Sequence, residues 1–284
     1  MEVKKYIVSA LDKKFYCKIT LIPQYNKPPA YSLSFGGKDT YCIIIAIDNN
    51  IGYIDRVEHD EKCVKDGSLE ETGASIKLVK ACLWTVKMLF PEIIKLTLKD
   101  DSNINCKKGS KEFKLSLSYD YIIKYNQTWY EKHFGAVLPS NNTIEYKKSL
   151  EVLDEELKSF NLISSRFEYI LPYKDIYLSS STPRQFIQNL RNVYGDQYCF
   201  EVGGWLSRYM ELLTVEIFKN KWYIPIEHVK NIQNYSIEET ADTIKGGKTK
   251  KTRKTRRTRN FTLISGGDES CSIVGVGYEN FCDN

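Results

Sequence analysis

A chain of 284 residues, 42% hydrophobic and 13% aromatic, has enough apolar matter for one large core or two small ones, which excludes wholesale disorder. Its net charge of +5 is local: Lys248 to Arg259 (KTKKTRKTRRTR) holds eight Lys or Arg and no acid, and with those eight set aside the remainder stands at −3. That excludes general basicity as a means of binding nucleic acid, and no run of about 18 apolar residues offers a membrane span.

In chain order, Tyr6 to Ser9, Phe15 to Ile22, Tyr31 to Phe35, Tyr41 to Ile47 and Ile51 to Val57 are rich in β-branched and aromatic residues. Pro28-Pro29, Gly36-Gly37 and Asn49-Asn50 punctuate them, which predicts an antiparallel meander. From Gly73 the period changes. Ile76, Val79, Leu83, Val86 and Phe90 recur every three or four residues and predict a helix ending before Pro91. A strand over Ile93 to Leu98 is expected next, then a polar loop, DDSNINCKKGSK. Phe113 to Phe134 reads as a second long helix stopped by Gly135, with a strand at Ala136 to Leu138.

Leu150 to Phe160 reads as helical. Thr182-Pro183 supplies a capping hydroxyl followed by a first-turn proline, so a helix starts there and Gly195 closes it. Cys199 to Leu213 predicts another helix, and Val215 to Phe218 with Trp222 to Ile226 a hairpin. Phe261 to Cys282 reads as a last apolar hairpin. The fold class expected is α/β (α+β), a mixed sheet with flanking helices. The division is an α/β domain over 1–160, a small α/β unit over 161–235, a basic low-complexity segment over 236–260 and a hairpin over 261–284.

Cys17, Cys42, Cys63, Cys82, Cys106, Cys199, Cys271 and Cys282 form no C-x-x-C pair and have no His at zinc-ligand spacing, so no metal site is expected. Several sit in apolar settings, where a reduced Cys acts as a small core hydrophobe, and a reducing compartment fits. The start, MEVKKYIVSALDKK, lacks a signal-peptide core, and the expectation is cytoplasm or nucleus.

Two motifs carry chemistry. TGASIKLVKACLW places Gly73, Ala74 and Ser75 at a helix start, where backbone N–H groups and the positive end of the helix dipole suit a pyrophosphate. TWYEKHFGAVL follows later. Together with the order of elements they resemble the GNAT acetyltransferase superfamily over about Tyr31 to Leu138, in which a meander leads to a Gly-rich turn and helix holding CoA. The resemblance implies acetyl-CoA as cofactor, transfer of acetyl to an amine, Gly73, Ala74 and Ser75 as the phosphate turn, and Tyr130 as proton donor to the CoA thiolate. It also implies a base at Glu58 or His59, at the end of the preceding strand. Tyr130, Glu131 and Lys132 match the family's Tyr-Glu-Lys, with Phe134-Gly135 in place of Gly-Phe. The chain departs from the family at Glu70, an acid near the phosphates, and at Ser75, where a second Gly or Ala is usual.

The basic segment reads differently. Thr249, Thr252, Thr255 and Thr258 space its charges, and Lys248, Lys250, Lys251, Arg253, Lys254, Arg256, Arg257 and Arg259 point to a polyanion, DNA or RNA. It is bracketed by Ile244-Lys245-Gly246-Gly247 and Ile264-Ser265-Gly266-Gly267, similar to sites that proteases of large DNA viruses cut after Gly-Gly, which makes a viral processing protease at Gly247 and Gly267 a candidate partner. The whole pattern is similar to proteins of nucleocytoplasmic large DNA viruses, implying host cytoplasm, nucleus or virion. A second function is thus a virion structural or packaging protein on a degenerate GNAT-like scaffold. A third is a cysteine protease: DQYCFEVGGWLSRYMELL is loosely similar to the nucleophile helix of adenoviral and ubiquitin-like-protein proteases. That class needs a Cys thiolate near a His: Gln197 precedes Cys199 and His133 lies upstream, although Phe200 stands where that family has Gly.

Overall fold

β-Branched and aromatic residues build the first five strands: β1 (Val3–Ala10), β2 (Lys13–Ile22), β3 (Ala30–Gly36), β4 (Tyr41–Asp48) and β5 (Ile51–Val57). They pair as an antiparallel meander, as the pattern predicts. The computed structural model describes residues 2–26, 28–57, 61–63, 74–100, 102–108, 111–157, 170–213, 215, 222–232 and 234–240. Glu58, His59, Gly73, the basic segment with both flanking Gly-Gly sites, and the C-terminal hairpin lie outside those residues.

Helix α1 (Ala74–Leu89) carries the three-to-four repeat and buries Leu78, Val79, Cys82, Leu83 and Val86. It leads to β6 (Lys95–Leu98), which pairs in parallel with β5 from Ile51–Lys95 to Ile54–Leu98. This is the one parallel pair among the described residues. The sheet has eight strands in the order β10-β1-β2-β3-β4-β5-β6-β9. Its outer members come from late in the chain: β9 (Trp222–Pro225) pairs with β6, and β10 (Ser236–Glu239) with β1. The stretch 161–235, read as a unit of its own, therefore contributes β9 to the main sheet. The connection from β9 to β10 crosses α1, where Lys87 Nζ donates to the Val229 carbonyl (2.7 Å) and Trp84 meets Tyr235 edge-on.

The centre of the chain departs from the reading of one long helix over Phe113 to Phe134. Part of the expected polar loop is β7 (Asn103–Lys108), paired with β8 (Lys111–Ser116) in register Cys106–Phe113 and Ile104–Leu115. Phe113 and Leu115 alternate, a strand period that the following helical period concealed. Helix α2 (Leu117–Tyr125) then ends at Asn126, whose φ of 57° is left-handed, and α3 (Trp129–Phe134) starts anew. Ala136 to Leu138 makes a single bridge, Val137 to Tyr223, and no strand. Helix α4 (Ser140–Glu151) begins ten residues before the expected Leu150, and of the predicted span 158–160 lies outside the described residues.

Three helices follow, α5 (Lys174–Leu178), α6 (Pro183–Tyr194) and α7 (Tyr198–Leu212). The Thr182 side chain accepts from the Gln185 N–H and Gly195 closes α6, as read from the sequence. Trp222 and Tyr223, assigned to a hairpin, pair with β6; their expected partner, at 216–218, is outside the described residues. Mixed α/β architecture with one large mixed sheet is thus established. None of the helices among the described residues is long and apolar enough to cross a membrane.

Candidate functional site

The residues singled out from the sequence divide by position. Ala74 and Ser75 open α1, and both are buried. Sixteen residues at about 1.5 Å each make α1 some 24 Å long. Its last turn feeds the start of β6, so its first turn lies toward the carboxyl ends of β5 and β6. Asp100, two residues past β6, acts electrostatically on Tyr130, which brings the head of α3 to that end of the sheet as well. Pairing of β5 with β6 stops at Ile54–Leu98 while β5 continues to Val57.

Helix α3 is built by a capping box. Thr128 Oγ1 accepts from the Glu131 N–H (3.3 Å), and Glu131 Oε2 accepts from the Thr128 N–H (2.6 Å). The same carboxylate oxygen accepts from Tyr146 Oη (2.7 Å), tying α3 to α4. Gly135 closes the helix at φ 62°, a left-handed position, and its carbonyl accepts from His228 Nδ1 (2.9 Å). The Tyr-Glu-Lys motif is thus spent largely on construction. Tyr130 is 4% exposed and packs against Trp129 and Phe134. Burial first, and then Asp100, hold its hydroxyl well above the usual tyrosine range, so it keeps its proton at neutral pH. The Tyr146 hydroxyl is likewise raised by burial and then by Glu131.

Beside α3 lies a groove of about 1010 Å³ between α1, the carboxyl end of α3 and the β9–β10 connection, lined by Lys80, Trp84, Lys132, His133 and His228 among others. Lys132 Nζ stands 3.0 Å from the centre of the Tyr125 ring. The groove carries cations, imidazoles and carboxylates together, and no single ligand chemistry dominates it. Among the described residues no group of three or more His, Cys, Asp or Glu can hold a metal ion.

Among the described residues four cysteines are bonded in pairs and two are free. Cys42 is bonded to Cys63 (Cα–Cα 5.8 Å) and Cys106 to Cys199 (6.0 Å). Free Cys17 and Cys82 are buried, and burial raises both thiols, so they are inert hydrophobes. A bonded Cys199 offers no thiolate to a peptide carbonyl, which removes the nucleophile of the protease reading. Phe200, in place of that family's Gly, packs edge-on against Phe113 at 4.5 Å. Gly203 is where α7 approaches β8: a Cβ there would stand 3.2 Å from the Lys114 carbonyl oxygen.

Two polar centres escape sequence reasoning. Asp120, 0% exposed, pairs with Arg191, whose guanidinium lies over the Tyr198 ring at 4.5 Å. Arg184 reaches from α6 to the end of α2. Neither partner set is close in sequence, so no spacing announces them. The capping box is different: Thr128-x-x-Glu131 is a local signature open to direct reading. Compared with protein-family models, curated proteins and solved structures, the chain matches none.

Proposed function

We propose that the chain is a GNAT-like acyl-CoA-binding protein that transfers acetyl to an amine. The observation that carries this reading is the parallel pair β5–β6, joined through α1 inside an otherwise antiparallel meander, with Tyr130 near its carboxyl end. In open α/β sheets ligands sit in the crevice outside the carboxyl ends of parallel strands, and the first turn of the intervening helix attracts phosphate. There Gly73, Ala74 and Ser75 would hold the pyrophosphate of acetyl-CoA. Attack of the amine nitrogen on the thioester carbonyl forms the C–N bond and breaks the C–S bond. Glu58 or His59 would take the ammonium proton, and Tyr130 would return one to the leaving thiolate. The raised Tyr130 hydroxyl makes it a reluctant acid, so its role depends on a closed, dry crevice.

The test is thermal. Acetyl-CoA at a hundred times its dissociation constant stabilises the fold by about 2.7 kcal/mol, a rise of roughly 5–10 °C in Tm at about 2–4 °C per kcal/mol. Gly73→Asp should abolish that rise. No shift with saturating acetyl-CoA sinks the reading.

A second reading, a virion structural or packaging protein acting through Lys248 to Arg259, is favoured by the near-complete burial of Tyr130 and the structural use of Glu131. Eight phosphate contacts give a log–log salt slope near −7 for duplex DNA. Deleting Lys248 to Arg259 should flatten it; an unchanged slope disposes of the segment as the binding element.

A further inference from the structure

The eight-stranded sheet has two unlike faces. One is buried under α1, and its residues, such as Phe15, Leu33, Phe35, Ile45 and Leu96, lie in the core. On the other face the registered residues, Gly36 at the irregularity of β3 apart, are half-buried or exposed. We propose that this second face binds single-stranded nucleic acid.

The strand registers define its layout. One row runs Thr20–Ser32–Ala46–Tyr53–Thr97–Tyr223 across six neighbouring strands. Tyr53 is 37% exposed and Tyr223 half-buried, with only Thr97 between them, so their Cα atoms stand about 10 Å apart in a row of otherwise small side chains. The next row on one side is Lys5–Lys18–Ser34–Ile44–Arg56, and on the other side Lys95 pairs with Ile51. Cations therefore flank the aromatic row above and below. Lys95 Nζ lies 5.4 Å from the centre of the Tyr223 ring, which puts an ammonium beside a stacking surface.

Charge supports the assignment. Lys5, Lys14, Lys18, Arg56 and Lys95 on this face outnumber Asp48, Asp55 and Glu238, although the chain without its basic segment is net negative. Lys5 and Lys18 stand directly opposite each other on β1 and β2. Like charges at opposed positions destabilise a sheet, and a polyanion lying across them reverses that cost. Aromatic rings on an open sheet between basic flanks are the elements by which single strands are held: every base has a face to stack, and the cations track the phosphates. A duplex hides its bases and cannot use the rings. The aromatic row stands apart from the proposed acyl-CoA crevice, which only Arg56 approaches, and the assignment does not rest on that reading.

The experiment uses the full chain with a fluorescein-labelled oligo(dT) of about 20 nucleotides and the corresponding duplex, followed by anisotropy. Combined Tyr53→Ala and Tyr223→Ala should weaken the single-strand complex at least tenfold, roughly, while the duplex complex changes by less than about twofold. The Tyr53→Phe, Tyr223→Phe pair should bind the single strand like the unaltered chain, an outcome that a general fold defect would not give. Deleting Lys248 to Arg259 should weaken both complexes and leave the tyrosine-dependent difference in place. The proposal is overturned if the full chain fails to bind the single strand or the alanine pair loses less than about threefold. Equal losses on the duplex, phenylalanine variants that fall as far as the alanine ones, or a difference that vanishes with the basic segment also overturn it.

Discussion

Arg184 holds the end of α2 from α6. Its Nη1 donates to the carbonyls of Ile122 (2.7 Å) and Ile123 (3.0 Å), and its Nη2 to Asn126 Oδ1 (2.9 Å). Nε and Nη2 also make a bidentate pair with Asp154 (2.7 and 3.0 Å). Which part matters is decided by exposure: the Arg184 side chain is 15% exposed, Asp154 58%. An ion pair with so exposed a carboxylate is screened and contributes about 0–1 kcal/mol. Bonds from a charged donor to buried carbonyls contribute about 1.5–3 kcal/mol each, but they are not additive. The Asn126 N–H still serves Ile122, and Gln188 Nε2 lies 3.5 Å from the Ile123 oxygen, so neither carbonyl is orphaned. Arg184→Met should therefore cost about 2–3 kcal/mol, or roughly 5–10 °C in Tm, and Asp154→Asn under about 1 kcal/mol. Urea and thermal melts of the two variants read the contrast. Equal losses would refute the assignment of the stabilisation to the helix end.

Gly37→Ala puts a Cβ 1.7 Å from the Lys62 carbonyl oxygen, a backbone atom that no rotamer evades, and Lys62 adjoins bonded Cys63. The variant should lose about 1–3 kcal/mol and show extra titratable thiols in the native protein; unchanged melting with an intact bond would contradict the close approach. Cys106 and Cys199 are 93 residues apart, and a closed loop of that length is worth up to about 4–5 kcal/mol. The Cys106→Ser, Cys199→Ser pair should melt roughly 5–15 °C lower without reductant and level with the unaltered chain in excess dithiothreitol. Burial pushes Tyr173, Tyr198 and Tyr235 up to about 12, above the unfolded value near 10. The folded chain then holds protons that the unfolded chain has lost, so stability is intact below about pH 10 and declines from there toward about 12. Absorbance at 295 nm should show these tyrosinates appearing only with unfolding, and early ionisation would count against their burial.

The sheet was legible because β1 to β5 are rich in β-branched and aromatic residues and are set off by Pro, Gly and Asn pairs, with clean alternation in β3. Helix α1 and α6 were legible for the same kind of reason, a three-to-four repeat in one and a Thr-Pro start with a Gly stop in the other. The region around Phe113 was not, since a six-residue strand abuts a helix without a Gly or Pro between them. Its strand character depends on β7 and α7, partners 10 and about 90 residues away, including the Gly203 contact. The edge strand Trp222–Pro225 was legible as a strand, but its partner, β6, is fixed only in the folded chain. Of the candidate site, Tyr130 could be found by resemblance. Its burial depends on Trp129 and Phe134, which pack against it in the folded chain.

The motif that suggested an acetyltransferase has two independent causes in this fold. Thr128 and Glu131 recur at the spacing of a capping box, and Gly135 takes the left-handed position that ends the helix. A chain needing a short, firmly capped helix at this place would select TWYE and the following Gly whether or not it bound CoA. Glu131 and Gly135 therefore carry little weight for catalysis. The discriminating group is the Tyr130 hydroxyl alone, which the cap does not use. Its proton is retained by burial, so catalysis requires the thiolate to come to it inside the crevice, and a Tyr130→Phe chain should fold normally in either case. The two readings then part on one atom: acetyl transfer is lost without that oxygen, whereas a structural or nucleic-acid role leaves the variant indistinguishable from the unaltered protein.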